Sequence, residues 1–460
     1  MRKRGLEMKK YEIDMCSGSV FRKMLVFAIP LMFSGVLQLL FNAADIVVVG
    51  RFAGDNALAA VGSNGALINL LTNLFIGMSI GTNVLVAQYY GAKKDNDLRE
   101  TVHTSMLLSV YSGVILTVIG ITGARALLEL MQAPEEVLDL AVLYLRIYFL
   151  GMTSTMVYNF GSAILRAVGD TKRPLYYLIE AGIINVLLNL FFVIVCKWGV
   201  AGVAAATAIS QTVSAALVVR CLMREQSGIR LEPRALAITW EKFAKILRVG
   251  LPAGFQGVVF SLSNVVIQSA VNSFGPIAVA GNSAGANIEG FVYMAMNAFY
   301  QATISFTSQN YGAKEYKRIY RILLAGEIYV IATGLLLGNL AVVFGNTLLG
   351  IYSPSAEVVA AGMTRLKIIC TLYALCGVMD VLVGALRGIG YAVIPMVVSL
   401  IGACGLRLLW IATVFKIPEY HTLTTVYVSY PITWTITLLV HLLTFVIVAR
   451  KALKIKPAGQ

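Results

Sequence analysis

The sequence predicts an all-α integral membrane protein, with twelve transmembrane helices in two six-helix lobes related by a pseudo-two-fold axis. This prediction depends on the composition, on recurring apolar segments and on an internal repeat. Of 460 residues, 58% are hydrophobic and 13% are charged, whereas soluble domains average about 45–50% apolar and about 25% charged residues. Such a chain has too little polar surface for a soluble enzyme and too many apolar residues for a disordered protein.

Long apolar segments recur from Val20 to Val448, as in polytopic helical membrane proteins. A membrane barrel would instead show strands of about ten residues with alternating hydrophobicity. Pro30, Pro252 and Pro395 fall inside or at the start of these segments, where we expect kinks. The segments predict twelve helices, over residues 20–48, 57–87, 101–125, 137–162, 173–196, 199–222, 243–272, 278–307, 318–345, 356–384, 391–415 and 425–449.

The two halves of the chain resemble each other at an offset of 221 or 222 residues. Residues 88–93 (Gln-Tyr-Tyr-Gly-Ala-Lys) recur as residues 309–314 (Gln-Asn-Tyr-Gly-Ala-Lys). A Leu-Arg pair followed by Gly and Pro recurs in residues 165–174 and 386–395. The Ile-Pro and Leu-Pro pairs that open the two halves and a repeated Glu-Val pair bring the number of matching segments to four. All four recur at the offset of 221 or 222 residues. They predict an internal duplication.

The repeat also predicts the domain organisation. We expect a cytoplasmic N-terminal segment over 1–19, lobes over 20–222 and 243–449, a cytoplasmic linker over 223–242 and a basic cytoplasmic tail over 450–460. Because each repeat has six helices, both lobes have the same orientation in the membrane. Parallel repeats are typical of transporters that bind substrate between the repeats and rock one against the other. We therefore favour secondary transport over a purely structural duplication or a channel.

The net charge of +14 follows from membrane topology and does not indicate a nucleic-acid partner. Of the 37 Lys and Arg residues, 29 lie in alternate connections that include both ends of the chain, and 4 lie in the other connections. By the positive-inside rule, both termini of this multi-pass protein are cytoplasmic. The short connections between the segments favour the plasma (inner) membrane. The six cysteines and three histidines form no C-x-x-C or H-E-x-x-H motif. We expect no disulfide framework, metal site or cofactor.

Ionisable residues inside membrane helices are costly and therefore mark candidate functional sites. Asp45 lies in the first predicted helix, with Gln38 and Asn42 close to its helical face. Its alternative role is an interfacial carboxylate that caps a neighbouring helix. Glu289 lies about 16 Å along the eighth helix by helical rise, near the membrane midplane. Its alternative role is a buried partner of Arg407 or of a backbone group.

Weaker acidic candidates are Asp380 and Glu327, each of which has an alternative role as an ion-pair partner. Low dielectric penalises a charged carboxylate, so a buried one can bind a proton near neutral pH. Amide oxygens beside it would instead favour sodium, which takes oxygen ligands. Asn185 and Asn189, spaced i and i+4 on the fifth helix, can supply such oxygens, although membrane asparagines also join helices.

An aromatic and methionine cluster in the eighth helix includes Tyr293 and Met294. Together with Gln38, Asn42 and Asp380, these two residues are candidates for the lining of a substrate cavity for flat, apolar cations. At helical spacing, the same pattern also occurs in ordinary packing or lipid contact.

These motifs resemble the multidrug and toxic compound extrusion (MATE) family over nearly the whole chain. The resemblance rests on Ile-Pro at 29–30, on Asp45 with Gly-Arg at 50–51, and on the repeated Gln-x-Tyr-Gly-Ala-Lys and Leu-Arg…Gly…Pro segments. It implies two six-helix lobes around a cavity and export of organic, often cationic compounds in exchange for protons or sodium. It further implies that Asp45, Asn185, Asn189 and Glu289 belong to the cation-coupling machinery, with Asp45 a possible sodium ligand.

The chain also departs from the family pattern. At Asn189, many members have an aspartate, and the helix-7 carboxylate of some branches is missing. One carboxylate fewer favours protons over sodium as the coupling ion. The expected partners are small organic substrates and the lipid bilayer, and we expect a monomer.

Three competing functions differ in what the sequence should contain. A lipid-linked precursor flippase or polysaccharide exporter would need a basic cavity, for which Arg407 and Arg146 are the strong candidates. An integral-membrane enzyme is disfavoured because no acidic metal motif and no nucleophile–base pair is present. A primary pump is disfavoured because the phosphate-binding motif G-x-x-x-x-G-K-[ST] is missing.

Overall fold

A computed structural model describes residues 11–131 and 134–453, and every regular element in these two ranges is helical. The predicted segments 1–19 and 450–460 therefore lie partly outside the described residues. The α-helices are α1 Val20–Phe52, α2 Asp55–Gly91, α3 Asp95–Leu130, α4 Glu135–Leu150, α5 Met152–Ala167, α6 Lys172–Leu190, α7 Val200–Arg224, α8 Trp240–Asn272, α9 Pro276–Gly312, α10 Tyr316–Val343, α11 Gly345–Tyr352, α12 Ala356–Ile369, α13 Ala374–Ile389, α14 Val393–Ser399, α15 Leu406–Ala412 and α16 Leu423–Ala452. Two π-helices, Phe191–Val195 and Leu400–Gly405, continue α6 and α14.

Each of the twelve predicted helices has a counterpart among these elements. In the described part of the chain, nine helices are long and apolar enough to cross a membrane, or eleven if α4–α5 and α12–α13 each form one bent span. Helix α9 is the counterpart of the remaining predicted helix, 278–307. It has 37 residues and packs against α10, α12 and α13. Because neighbouring helices cover α9, it can carry a polar face that a lipid-exposed helix could not.

The internal repeat is visible in the backbone. Helices α2 and α9 both have 37 residues, and the bends between α4 and α5 and between α12 and α13 measure 46° and 47°. Three pairs of residues with positive φ recur 221 positions apart, and both members of each pair lie at equivalent connections. The pairs are Gly54 and Gly275 (φ 90° and 88°), Lys93 and Lys314 (φ 56° and 61°), and Gly169 and Gly390 (φ 96° and 101°).

The described residues form two compact units whose bounds differ from the predicted lobes. The first unit contains residues 11–15 and Val36–Phe255. The second unit contains Cys16–Gly35 and residues 256–453. The first half of α1 therefore belongs to the second unit, and the first half of α8 belongs to the first unit. The lobe bounds 20–222 and 243–449 stay a prediction.

Small residues bring helices of the first unit close together. A Cβ added to Gly77 on α2 would lie 2.1 Å from the backbone nitrogen of Gly254 on α8, and one on Gly81 would lie 2.3 Å from the carbonyl oxygen of Ile246. The two backbones are therefore in direct contact. This is the close packing that glycine permits between membrane helices.

Candidate functional site

Asp45 belongs to a closed ring of hydrogen bonds with Asn189, Asn185 and Thr207, which we call the Asp45 ring. Asn189 Nδ2 donates to Asp45 Oδ1 and, at 3.2 Å, to Asn185 Oδ1. Asn185 Nδ2 donates to Thr207 Oγ1 at 3.3 Å, and the Thr207 hydroxyl donates to Asp45 Oδ2 at 3.4 Å. The ring thus connects α1, α6 and α7.

The sequence of α1 and α6 explains why these side chains meet. A Cβ on Gly182 would lie 1.9 Å from the ring of Phe41, so α6 approaches α1 closely at this point. Asp45 lies one turn after Phe41, and Asn185 and Asn189 lie one and two turns after Gly182, on the same helical faces. The contact between Gly182 and Phe41 therefore directs both asparagines towards Asp45.

The ring is enclosed by protein, and its polar atoms are almost fully used. Asn189 is completely buried, Asn185 is buried and Asp45 is partly buried. Within the described residues, Asn189 Oδ1 is buried without a hydrogen-bond partner. The stacked rings of Tyr144 and Tyr148 on α4, 5.8 Å apart, lie within electrostatic range of Asp45. One carboxyl group in this setting can exchange a proton while its neighbours hold it in place.

Glu289 lies in a different polar cluster, in the second unit. Arg365 on α12 donates to Glu289 Oε2 from Nε at 3.0 Å and from Nη2 at 2.7 Å. Arg365 Nη1 also donates to Asn282 Oδ1 at 2.7 Å, and Tyr427 donates to the same oxygen at 3.1 Å. Both charged groups are buried, so this is a buried ion pair with additional hydrogen bonds.

The sequence-based expectation that Arg407 or a backbone group is the partner of Glu289 was wrong. Arg407 on α15 stacks on the ring of Tyr430, with Cζ 3.9 Å from the centroid, and donates to Thr433 Oγ1 at 3.2 Å. Hydropathy identified all of these residues as intramembrane. It contained no information on which arginine faces Glu289. The coupling role of Glu289 stays a prediction.

The candidate cavity residues fall into two groups. Gln38 and Asn42 are exposed on the part of α1 that belongs to the first unit. Tyr293, Met294 and Asp380 are partly buried in the second unit, where Tyr293 lies within electrostatic range of Asp380. The structure therefore brings Tyr293 and Asp380 together, and the cavity as a whole stays a prediction.

Thr207 and Arg365 are the residues that sequence reasoning missed. Thr207 follows three alanines in α7, and Arg365 is a basic residue inside the tenth predicted helix, 356–384. Neither has a motif of its own. Among the described residues, no cluster of three or more His, Cys, Asp or Glu side chains has the arrangement of a metal site.

Comparisons with known proteins cover both halves of the chain. A family model described as MatE matches residues 30–191 and again residues 252–412, in the register that the repeat predicts. The probable multidrug resistance protein YoeA of Bacillus subtilis is 30% identical over 430 residues, which is 92% of each chain. An FAD transporter of Shewanella oneidensis is 23% identical over 393 residues, covering 84% of this chain and 86% of its own.

The fold also matches solved structures. A multidrug resistance MATE family transporter, solved in an outward-facing conformation, superposes with a TM-score of 0.88 at 22% identity, over 95% of this chain and 98% of its own. This likeness confirms the all-α fold with twelve helices in two lobes. With a family model that covers most of the sequence and a relative at 30% identity, the chain belongs to the MatE (MATE) family of multi-pass membrane transporters.

Proposed function

We propose that this protein exports small organic compounds, principally cations, in exchange for protons, and that the Asp45 ring binds the coupling proton. The observation that carries this proposal is the closed ring of hydrogen bonds around one intramembrane carboxyl group. The names of relatives such as YoeA, a probable multidrug resistance protein, support an exporter of several compounds.

The ring can take up a proton without losing a hydrogen bond. The longer of the two bonds to Asp45 runs from the Thr207 hydroxyl to Oδ2, at 3.4 Å. A hydroxyl is both a donor and an acceptor. When Oδ2 is protonated, the Thr207 hydroxyl rotates and accepts the new O–H, while Asn189 continues to donate to Oδ1. The proton therefore changes the charge of the site with little change in its geometry.

The same arrangement favours protons over sodium. Sodium requires several oxygen ligands, but Asn189 presents Nδ2 to Asp45. Asn185 Oδ1 and both Asp45 oxygens already accept hydrogen bonds. With a single carboxylate, the site also has less negative charge than one built on two aspartates.

Coupling follows from competition between the proton and a cationic substrate. Protonation neutralises Asp45 and weakens the binding of a cation, so proton entry from outside releases substrate outside. By linkage, the bound substrate lowers the affinity for the proton by the same factor. Alternating access of the two lobes then delivers the proton to the cytoplasm. No cofactor is needed beyond the coupling ion.

Export of lipid-linked or polysaccharide substrates receives less support. Its basic cavity would need Arg407 and Arg146. The guanidinium of Arg407 is buried against Tyr430, and exposed Arg146 donates from Nε to the carbonyl oxygen of Ile121 at 3.2 Å. Each of these two guanidinium groups is thus engaged within its own unit, Arg407 by an aromatic ring and Arg146 by a backbone carbonyl.

The test uses proteoliposomes loaded with a fluorescent organic cation, with proton and sodium gradients imposed separately. We expect movement with the proton gradient only, and its loss in Asp45→Asn. Asp139→Asn, which changes an exposed aspartate of α4, is the matched control and retains transport. Thr207→Val alters the pH profile of transport, and Thr207→Ser restores it. Full uphill export by Asp45→Asn, or a response to sodium alone, contradicts the assignment.

We also propose a monomer in the plasma (inner) membrane with both termini cytoplasmic. The distribution of Lys and Arg between alternate connections supports this topology. Cysteines introduced singly in the α7–α8 and α8–α9 connections should react with an impermeant thiol reagent only from the inside and only from the outside, respectively. Labelling from the opposite sides would reverse the topology. Mass measurement of the purified protein in detergent tests the monomer.

A further inference from the structure

The connection between α7 and α8, residues 225–239, is docked along the first turns of α3, and we call it the α7–α8 linker. Ile229 and Leu231 of the linker are buried in one hydrophobic cluster with Leu98 and Val102 of α3. A Cβ on Gly228 would lie 2.7 Å from Leu98. The linker is thus packed against the helix, and its position depends on side chains of α3.

Two consecutive side chains of α3 bind the backbone of the linker. The backbone N–H of Glu232 donates to His103 Nε2 at 3.1 Å, and that of Thr239 donates to Thr104 Oγ1 at 3.0 Å. His103 is 3% exposed. Its other ring nitrogen, Nδ1, lies 2.7 Å from the carbonyl oxygen of Arg99.

These two partners specify a single protonation state for His103. A carbonyl oxygen only accepts, so Nδ1 carries the hydrogen. A backbone N–H only donates, so Nε2 has a free lone pair. The imidazole is therefore neutral in this structure. A second proton would place N–H against N–H and leave the Glu232 amide without its acceptor.

The charged groups around this contact occur in pairs. Arg99 binds the side chain of Glu232 at 2.5 Å, and Lys242 on α8 binds Asp97 and, at 3.8 Å, Glu100. Helix α2 contributes the hydroxyl of Tyr89, which also contacts Lys242. The carboxylate of Asp95 also lies near the linker, 3.5 Å from a Cβ on Gly228. Among the described residues, the partners of the imidazole are the carbonyl oxygen of Arg99 and the Glu232 amide, and no carboxylate is paired with it.

We propose that His103 is a proton-sensitive latch, which holds the α7–α8 linker on α3 in its neutral form and releases the linker when Nε2 is protonated. Imidazole is the side chain whose charge changes between about pH 5 and 8. Such a latch makes the position of the linker depend on the pH at this face of the protein. The proposal depends on linker contacts alone, so it stands or falls independently of the coupling ion.

The test measures hydrogen exchange of the linker amides in the intact purified protein, at pH 8 and pH 5.5, with rates corrected for the intrinsic effect of pH. Loss of one neutral hydrogen bond corresponds to an exchange rate about fivefold higher. We therefore expect at least about a fivefold increase for residues 230–235 of the wild type at pH 5.5. Equal corrected rates at both pH values would overturn the proposal.

Variants separate the latch from ordinary packing. His103→Phe removes both hydrogen bonds and should exchange rapidly at both pH values. His103→Gln offers a side-chain oxygen that does not titrate and should remain slow at both, which keeps the test decisive if the Phe variant fails to fold. Thr104→Val loosens the linker but retains the pH response, as does Glu232→Gln, which keeps its backbone N–H. A pH response that persists in His103→Gln would assign the switch to another group.

Discussion

Replacement of Arg365 by methionine isolates the role of Glu289. The variant leaves Glu289 buried at 8% exposure, without the two donors at 3.0 and 2.7 Å. Removal of one partner of a buried ion pair costs about 3–5 kcal/mol, whereas replacement of both charges is often neutral. We therefore expect Arg365→Met to lower the free energy of unfolding by about 3–5 kcal/mol. The double variant with Glu289→Gln should recover at least half of that loss.

The assay is equilibrium unfolding in mixed detergent micelles, combined with transport in proteoliposomes. Arg407→Met is the matched control, because it removes a buried arginine that forms no ion pair among the described residues. Its effect and that of Glu289→Gln should add within about 0.5 kcal/mol. A structural role for the pair predicts that the double variant Glu289→Gln/Arg365→Met is stable and still transports.

Three results would refute this reasoning. The first is a loss of less than about 1 kcal/mol in Arg365→Met, because leaving a buried carboxylate unpaired costs more than that. The second is a recovery of the stability of Arg407→Met by Glu289→Gln, which would identify Arg407 as the partner of Glu289, as expected from the sequence. The third is a double variant that is stable but has lost gradient-driven transport, which would support a role of Glu289 in cation coupling.

Further substitutions test packing, backbone conformation and ion choice. Gly77→Ala should destabilise the protein by about 1–3 kcal/mol or prevent folding, because the added Cβ meets backbone atoms of α8. Gly62→Ala is the control, since a Cβ at Gly62 meets open space. Thermal unfolding in detergent compares the two variants, and equal stability would contradict the close contact. Gly275→Ala, at φ 88°, should cost about 1–3 kcal/mol from backbone strain alone, which the same melt measures. Asn189→Asp places a second carboxylate beside Asp45, and transport should then respond to a sodium gradient.

Much of the fold could be predicted because hydropathy and repeats are local properties of the chain. The twelve predicted helices correspond to the observed ones, and the 221-residue offset reappears in positive φ at Gly54 and Gly275. Bends were harder to predict. We expected kinks at prolines, whereas the bends measured between helices fall at Gly151 and Tyr373. The sequence around these two residues did not predict a bend.

The candidate site was predictable only in part. Asp45, Asn185 and Asn189 were identified because polar groups in apolar helices are rare and costly. Thr207 closes their ring but has no distinctive signal, since threonine is ordinary in a membrane helix. The latch residue His103 was likewise one of three unassigned histidines.

The sequence by itself determined the number of helices, their approximate bounds, the duplication and the family. Only the tertiary structure decided which polar groups meet: Thr207 with Asp45, Arg365 rather than Arg407 with Glu289, and His103 with the backbone of Glu232. The physical reason is helix geometry. Successive side chains of a helix differ by about 100° in direction and by about 1.5 Å along the axis. Small rotations and shifts of a helix therefore decide which side chains of neighbouring helices meet. These rotations and shifts depend on packing across the whole unit.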